Sequence, residues 1–482
     1  MSSVYERARQ SRDRRFDGRF YVGVKTTGIY CRPICPAVSP RRENVQFFST
    51  AAAAGEAGFR PCLRCRPESA PGSPAWNGTS TTVTRGLRLI ADGALDQGGV
   101  EQLAERLGVT GRHLRRLFSE HVGASPQAIA HTRRLHFAKS LIDQTELPMV
   151  DIAIAAGYGS TRRFNDAVRK AWRRSPRELR RRRAQSDASD TLTLRLAYRE
   201  PYDWQALCRF FSLRALDGVE TVQNGAYRRV LRGGSTAAVV ELEQGDGELL
   251  AKLRGVAPAE LLGVVQTLKD VLDVDAPIDD ITAVLSADPK LAKALRACPG
   301  IRVPGVWDRF EHIVRAVLGQ QVSVKAATTL AGRIAMRYGE RLPEAMRTAT
   351  GMSVAFPSAE RLKRARLENL GVIRSRAATI RRVASAVVAG DLLLDPAARR
   401  DDFLAAFTAI KGIGRWTAEY ALLRAMKDPN AFPASDLGIV NALATRDGVK
   451  PKAQDVLDAA QHWQPWRAYA AMLLWTQTGV GG

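Results

Sequence analysis

The chain has 482 residues, 45% of them hydrophobic, which is enough for several separate cores. Its formal net charge is +23, with 33 Lys+Arg against 18 Asp+Glu in residues 1–190 and 39 against 31 thereafter. An excess this large points to a polyanionic partner, double-stranded nucleic acid first, and the lack of any run of 18 apolar residues argues against a membrane span.

The start, MSSVYERARQSRDRR, is polar and basic rather than a signal segment, so a cytoplasmic location with reduced thiols is expected. Cys31, Cys35, Cys62 and Cys65 then follow as C-x3-C, 26 residues, C-x2-C. Two close pairs across a loop suit a tetrahedral Zn²⁺ held by four thiolates better than a disulfide framework in that setting. Such a centre either staples a small fold or offers a thiolate as a nucleophile, and the spacing alone favours the staple. Residues 69–83, rich in Ser, Pro, Gly and Thr, read as a linker.

Residues 84–183 carry helical apolar spacing in two similar units. In the first, Val100, Leu103, Ala104 and Leu107 form one face, Gly108 ends the helix, and a second helix runs from Arg112 to Glu120. In the second, Ile152, Ala153 and Ala156 pack, Gly157 turns, and Thr161 to Trp172 forms the next helix. The helices after the turns carry Arg112, His113, Arg115 and Arg116, and then Arg162, Arg163 and Asn165. Arg suits guanine edges and Asn suits adenine edges in a major groove. Eleven basic residues against two acidic ones in 162–183 suit phosphate contacts.

After a polar break at 184–190, TLTLRLAYREPYDW alternates as a half-buried strand, and VETVQNGAYRRVL and STAAVVELE add further strands with a turn at Asn224-Gly225. Amphipathic helices return from about residue 255. In FLAAFTAIKGIGRWTAEY, Gly412 and Gly414 lie between two helices, where glycine lets backbone N–H groups approach a phosphate closely. Asp436 follows 22 residues later in FPASDLGIV, where it suits either a helix cap or a catalytic carboxylate.

Three resemblances sharpen this reading. The paired helical units, with Gly157, Tyr158, Ser160 and Phe164 in G-Y-x-S-x-x-x-F, resemble the DNA-binding domain of AraC-family regulators, which implies that the two second helices enter successive major grooves. Residues 1–68, FYVGVKTTGIYCRPICPAVSPRRENVQFF…GFRPCLRCRPE, resemble the N-terminal domain of the Ada alkylation-response protein. That implies transfer of a methyl group from a DNA methylphosphotriester to Cys31, with flanking Lys25, Arg32, Arg41 and Arg42 favouring DNA once the centre's negative charge falls, and RNA polymerase as a partner in activation. The Pro-Cys-His-Arg motif of Ada's second methyltransferase domain is absent.

Residues 191–482 resemble the AlkA type of 3-methyladenine DNA glycosylase through PYDW at 201–204, VLGQQVSV at 317–324, GIGRWTAEY at 412–420, FPASDLG at 432–438 and WQPWRAYA at 463–470. The resemblance implies hydrolysis of the N-glycosidic bond of an alkylated base, with Asp436 as the catalytic carboxylate. It implies an aromatic cleft of Trp416, Tyr420 and Trp463, with Phe210 as a further wall, while Trp466 and Trp475 read in part as ordinary core packing. Trp416 stands where strand-cutting relatives carry lysine, which implies a glycosylase without lyase activity. Where the family inserts an apolar wedge this chain has Gln321, beside Gln320, and both can hydrogen-bond in the gap.

The expected fold is multidomain and mainly α with α+β parts. It comprises a Cys₄ zinc domain at 1–70, tandem helix-turn-helix units at 84–183, a TATA-binding-like α+β subdomain at 190–298 and a helix-hairpin-helix glycosylase bundle at 299–482. The competing readings are a regulator whose C-terminal half is catalytically silent and an enzyme whose front half only adds DNA affinity.

Overall fold

In a computed structural model that describes residues 2–71, 81–96, 98–180, 191–233, 237–444 and 447–478, the first module is built on strands that alternate their faces. Residues 72–80 of the expected linker and the break at 184–190 lie outside the described residues. Strands β1 (Tyr21–Val24), β2 (Ile29–Cys31), β3 (Val45–Phe48) and β4 (Arg60–Pro61) form one sheet in the order β3-β1-β2-β4. Val22 and Val45 pack with Phe20 and Ala8 in one cluster, and Tyr21 and Tyr30 pack with Ala51 and Ala54 in another. Period-two alternation thus buries both faces of a very small sheet. Strands β2 and β4 run parallel, with Tyr30 opposite Pro61. One residue further on, that register brings Cys31 level with Cys62.

Helix α1 (Ala51–Glu56) leaves this sheet, and the helices that follow include α2 (Val100–Leu107), α3 (Gly111–Val122), α4 (Pro126–Gln144), α5 (Met149–Ala155) and α6 (Thr161–Trp172). Gly108, at φ +71°, closes α2 in a left-handed cap. The Thr110 hydroxyl accepts from the His113 N–H at 3.3 Å, and the Ser160 hydroxyl accepts from the Arg163 N–H at 3.2 Å, capping α3 and α6. Helix α6 keeps its expected bounds, whereas α3 runs from Gly111 to Val122, longer than expected, because the cap residue sits at Thr110 and the stop at Gly123.

The metal module and the helical pair share a packed surface. Ala52 and Ala53 of α1 cluster with Ala124, Ala128 and Ile129. The Tyr30 hydroxyl lies 3.0 Å from His136 Nε2, the Ser49 hydroxyl donates to the Val122 carbonyl at 2.8 Å, and Arg66 pairs with Asp143 at 2.6 Å. Contacts accordingly divide the chain into two compact units: Met1–Arg199 with Gly247–Leu250 and Ala257–Gln266, and Glu200–Asp246 with Ala251–Val256 and Thr267–Gly482.

In the second unit, helix α7 (Trp204–Ser212) precedes an antiparallel meander of β5 (Glu220–Gln223), β6 (Ala226–Leu231) and β7 (Ala238–Gln244). Asn224 and Gly225 both take positive φ, +52° and +75°, as a two-residue hairpin turn requires. The helices that build the site are α8 (Arg309–Leu318), α9 (Val324–Tyr338), α10 (Arg374–Ala389), α11 (Arg400–Thr408), α12 (Arg415–Arg424), α13 (Leu437–Leu443) and α14 (Arg467–Gln477). Between α11 and α12, Gly412 takes φ +100°, and a Cβ there would stand 2.0 Å from the Thr379 hydroxyl of α10. The hairpin therefore needs glycine at 412 for close approach as well as for its backbone angle. No helix among the described residues is long and apolar enough to cross a membrane.

Candidate functional sites: a four-sulfur centre and an aromatic cavity

Cys31 ends β2 and Cys62 follows β4, so the sheet itself brings the two cysteine pairs together. The four Sγ atoms of Cys31, Cys35, Cys62 and Cys65 lie within 4.8 Å of one another. Ligands about 2.3 Å from a tetrahedral Zn²⁺ stand roughly 3.8 Å apart, so the cluster has the size and the donor set of such a centre. The Arg32 N–H donates to Cys65 Sγ at 3.3 Å, an amide-to-sulfur bond that favours a thiolate. The sulfurs share protons unevenly. Hydrogen bonding to Cys35 pushes the Cys31 thiol up, while hydrogen bonding to Cys31 lowers Cys62 and brings Cys35 to about 7. Four adjacent sulfurs cannot all ionise without a cation between them, which a bound metal would supply. Cys62 and Cys65 are buried, and Cys31 and Cys35 are partly exposed, so only Cys31 and Cys35 face an incoming reactant.

The flanking cations are not equivalent. Arg32 is tied to Asp17 by a short ion pair and donates to the Cys65 carbonyl at 3.2 Å, so it braces the centre instead of reaching outward. Arg41 and Arg42 keep 85% and 50% of their side chains exposed. On α3 and α6, Arg112, Arg115, Arg116, Arg162 and Arg163 are exposed, and His113 and Asn165 are half-buried on the same surfaces. Arg115 reaches Glu101 at 2.7 Å, and Arg116 lies 3.2 Å from His113 Nδ1.

The second site is a cavity of about 1230 Å³ in the second unit. It exceeds the usual range of about 300–1,000 Å³ for small-molecule clefts and so has room for more than a free base. Phe210, Gln320, Gln321, Gly414, Trp416, Tyr420, Asp436 and Trp475 all line it. Asp436 is the cap of α13: its Oδ1 accepts from the N–H groups of Gly438 and Ile439 at 2.9 and 3.2 Å. The same oxygen accepts from Trp475 Nε1 at 2.8 Å, and Oδ2 accepts from Trp416 Nε1 at 2.8 Å. Oδ1 is thus fully engaged, and Oδ2 keeps a lone pair for a reactant. Asp436 is thus both a helix cap and a carboxylate in the cavity wall.

The aromatic wall differs from the expected one. Trp416 stacks on Tyr420 with centroids 5.4 Å apart, and Tyr420 meets Trp475 edge-on at 6.0 Å. Trp463 is not among the lining residues. It is 2% exposed, packs against Phe432 and donates to Asp288 Oδ2 at 3.0 Å. The expectation is corrected on this point: Trp463 is a core residue, and Trp475, read from sequence in part as core packing, is the third wall. Phe210 lines the cavity with guanidinium groups close over its ring, Arg214 at 3.9 Å and Arg424 at 4.7 Å from the centroid.

The same cavity is lined in part by a buried charge network that the sequence did not reveal. Arg229 pairs with Glu220 at 2.8 Å and, more closely, with Glu311, and Arg315 reaches the same two carboxylates at 2.8 and 3.1 Å. Tyr227 donates to Glu220 at 2.5 Å and accepts from Trp307 Nε1 at 2.9 Å. His312 lines the cavity 4.9 Å from the Tyr420 ring. Burial first, then the charges of Arg424 and Arg315, hold it well below the usual histidine range, so its ring is neutral at pH 7. On the rim, Gln320 Nε2 donates to the Gly412 carbonyl at 3.1 Å and to the Thr417 hydroxyl at 3.0 Å, so it locks the hairpin to the cavity mouth. Gln321 is exposed beside it, at φ +55°.

Comparison with known proteins agrees with these two sites. Residues 5–68 match the metal binding domain of Ada, 103–182 a helix-turn-helix domain, 193–308 the AlkA N-terminal domain and 314–467 the HhH-GPD superfamily of base excision DNA repair proteins. The chain is 41% identical over 98% of its length, and 95% of the relative's, to a probable bifunctional transcriptional activator/DNA repair enzyme AlkA of Mycobacterium tuberculosis. It is 32% identical to DNA-3-methyladenine glycosylase 2 of Escherichia coli, over 59% of this chain and 97% of that protein. The fold of the second unit resembles that of the 3-methyladenine DNA-glycosylase from Archaeoglobus fulgidus, with a TM-score of 0.53 and 24% identity over 59% of this chain and 98% of that one. The chain therefore belongs to the family of bifunctional transcriptional activator/DNA repair enzymes, which joins an Ada-type metal-binding module and a helix-turn-helix domain to an AlkA-type glycosylase.

Proposed function

We propose that this chain excises N-alkylated purines such as 3-methyladenine from double-stranded DNA and that Asp436 is its catalytic carboxylate. One observation carries the reading: the Asp436 carboxylate stands in the wall of an aromatic cavity, with Oδ1 saturated and Oδ2 held by a single indole. A base must leave the stack to reach such a cavity, at a cost of a few kcal/mol. N-alkylation puts positive charge on the purine, so it departs without strong acid assistance. As the glycosidic C–N bond breaks, its electrons leave with the base, and the sugar gains oxocarbenium character. Oδ2 stabilises that cation, and water adds to the anomeric carbon while its proton passes to the carboxylate or to solvent. The faces of Trp416 and Tyr420 suit an electron-poor base. Trp416 occupies the hairpin position of a Schiff-base lysine, so strand cleavage is not part of the reaction.

In the first unit, Cys31 acts as a single-turnover methyl acceptor from a DNA methylphosphotriester. The sulfur forms a bond to the methyl carbon, the methyl C–O bond breaks, and a phosphodiester anion leaves. A Zn²⁺ bound by Cys31, Cys35, Cys62 and Cys65 would keep the sulfur deprotonated at neutral pH. Methylation removes one negative charge from the centre, and exposed Arg41 and Arg42 then attract DNA phosphate more strongly. The exposed residues of α3 and α6 would read promoter DNA, with RNA polymerase as the partner that activation requires. Functional boundaries at 1–70, 84–183, 190–298 and 299–482 accompany this reading.

Release of 3-methyladenine from methylated duplex DNA by the wild type and by Asp436→Asn tests the enzyme. Equal rates would remove Asp436 from catalysis. Mass spectrometry of the four cysteine peptides after incubation with methylated DNA tests the sensor, and methyl on Cys35 instead of Cys31 would overturn the choice of acceptor.

A further inference from the structure

Helix α12 carries more than the aromatic wall. Trp416 and Tyr420 stand four residues apart on its cavity side, and Arg415 and Glu419, each one position earlier, pair on the adjoining face at 2.7 Å. Arg415 opens the helix directly after Gly414, and 70% of its side chain is exposed. A cation there sits at the positive end of the helix dipole, so the helix alone does not favour it. Glu419 is 4% exposed, and a carboxylate so buried needs partners for both oxygens. Oε1 accepts from Arg415 Nε at 3.0 Å. Oε2 accepts from the Arg400 guanidinium at 2.5 Å and from the backbone N–H of Phe432 at 3.2 Å.

Phe432 begins the segment that ends in Asp436. The Ala434 N–H donates to the Phe432 carbonyl at 3.0 Å, and the Asp436 N–H donates to the Pro433 carbonyl at 2.8 Å. Two tight turns therefore separate the Phe432 anchor from the acid, and Pro433 has no N–H of its own to add. Arg400 makes a second tie, since it also pairs with Asp428 at 2.5 Å, whose other oxygen accepts from the Asn430 N–H at 2.9 Å. One buried carboxylate thus stands between an exposed cation beside the hairpin and the loop that delivers Asp436.

We propose that Glu419 is a positioning residue: it anchors the Asp436 loop through Oε2 and holds Arg415 through Oε1 until a DNA phosphate takes that cation over. The proposal rests on the glycosylase reading of the Asp436 cavity and adds the group that couples DNA contact to the placement of the acid. Arg415 exchanges one anionic partner for another, which leaves its charge paired throughout. The carboxylate, relieved of one cation, then accepts more strongly from the Phe432 N–H and from Arg400, so the loop tightens as DNA binds. An ion pair that only stabilised the fold would behave differently. Its loss would lower stability and leave both the rate per folded molecule and the affinity for DNA unchanged.

The test uses the full chain and two measurements: single-turnover release of 3-methyladenine at saturating enzyme, and binding to a duplex with a tetrahydrofuran site, where no chemistry occurs. Glu419→Met removes the acceptor at similar length and should slow release per folded molecule by about tenfold or more. Glu419→Gln keeps an oxygen for the Phe432 N–H and should recover most of that rate. Both variants should bind the tetrahydrofuran duplex at least as tightly as the wild type, by up to about threefold, because Arg415 is no longer shared. Arg415→Ala should weaken that binding and make its salt dependence shallower by about one phosphate contact. An unchanged release rate for Glu419→Met would overturn the proposal, as would a Glu419→Gln as slow as Glu419→Met. So would weaker binding by Glu419→Met, or an unaltered salt dependence for Arg415→Ala. Should Glu419→Met not fold, Glu419→Met with Arg400→Met removes the stranded cation as well, and the same slow release with undiminished binding is expected. Hydrogen exchange gives a readout apart from chemistry: on the tetrahydrofuran duplex, residues 428–436 should exchange faster in Glu419→Met than in the wild type. If that difference holds while the wild type releases no base, the glycosylase reading fails and the loop anchor stands.

Discussion

The indole N–H of Trp475 donates to Asp436 Oδ1 at 2.8 Å, across the gap between the last helix and the loop that carries the acid. This bond fixes the carboxylate's rotation about its own helix cap and leaves Oδ2 turned to the cavity. Trp475→Phe keeps the aromatic wall and deletes the donor. Its kcat for 3-methyladenine release should fall about tenfold with little change in KM, against about a hundredfold or more for Asp436→Asn. Steady-state kinetics of the two variants side by side checks the order.

Trp463 gives the opposite expectation. Its ring is buried against Phe432, and its N–H is committed to Asp288. Trp463→Phe should cost about 1–3 kcal/mol of stability, since it trims a buried ring and deletes its bond to the half-buried Asp288 carboxylate. Base release per folded molecule should stay at the wild-type value. Chemical denaturation together with activity measured well below the transition separates the two effects.

These two tryptophans also mark how far the sequence could be read. The cysteine centre was legible because its spacing encodes its geometry, and the two helical units were legible because apolar spacing, Gly108 and Gly157 are local signals. The choice between Trp463 and Trp475 was not legible. Every residue of α14 from Ala468 to Trp475 is buried, so periodicity distinguishes no face of that helix as the one that meets a cavity. The carboxylate that Trp475 serves comes from a separate loop, and only tertiary packing brings them together. Glu220, Arg229, Glu311 and Arg315 were missed for a related reason: charged residues in sequence read as solvent-facing, yet here they satisfy one another inside the fold.

That network makes Arg229 a severe single site. Arg229→Met strips two buried carboxylates of one of their two shared cations and leaves Arg315 alone to hold both, and the loss should reach about 3–5 kcal/mol. A quadruple change that also makes Glu220, Glu311 and Arg315 apolar should recover much of it. Urea unfolding of the single and quadruple variants decides between the two outcomes.

His312 sets an acid sensitivity. Burial keeps its folded-state pKa well below that of the unfolded chain, so below about pH 6.5 the unfolded chain binds a proton that the native state refuses. Stability should therefore fall as pH drops from 6.5, with a slope from this residue of up to about 1.4 kcal/mol per pH unit. His312→Gln should flatten that slope and leave stability at pH 8 changed far less. Denaturation midpoints at pH 5, 6, 7 and 8 test the sign.

Removing the metal should disturb more than the cysteine module. α1 and α4 share a core through Ala52, Ala53, Ala124 and Ile129, and Tyr30, next to Cys31, bonds to His136 of α4. A chelator, or Cys62→Ser, should lower the melting temperature of the helix-turn-helix unit and weaken promoter binding even without any methylated DNA. Calorimetry and gel shifts before and after zinc is restored provide the check.

The seam between α1 and α4 has one more implication. Because the sulfur centre and the helical pair are mortised together instead of being strung on a tether, a phosphate and a base sequence can be engaged by the two at once only at the offset that this joint dictates. On the proposed reading, a promoter bound by the methylated chain meets Arg41 and Arg42 through a phosphate in fixed phase with the bases that are read, and adding half a helical turn between them would put the two on opposite sides of the duplex.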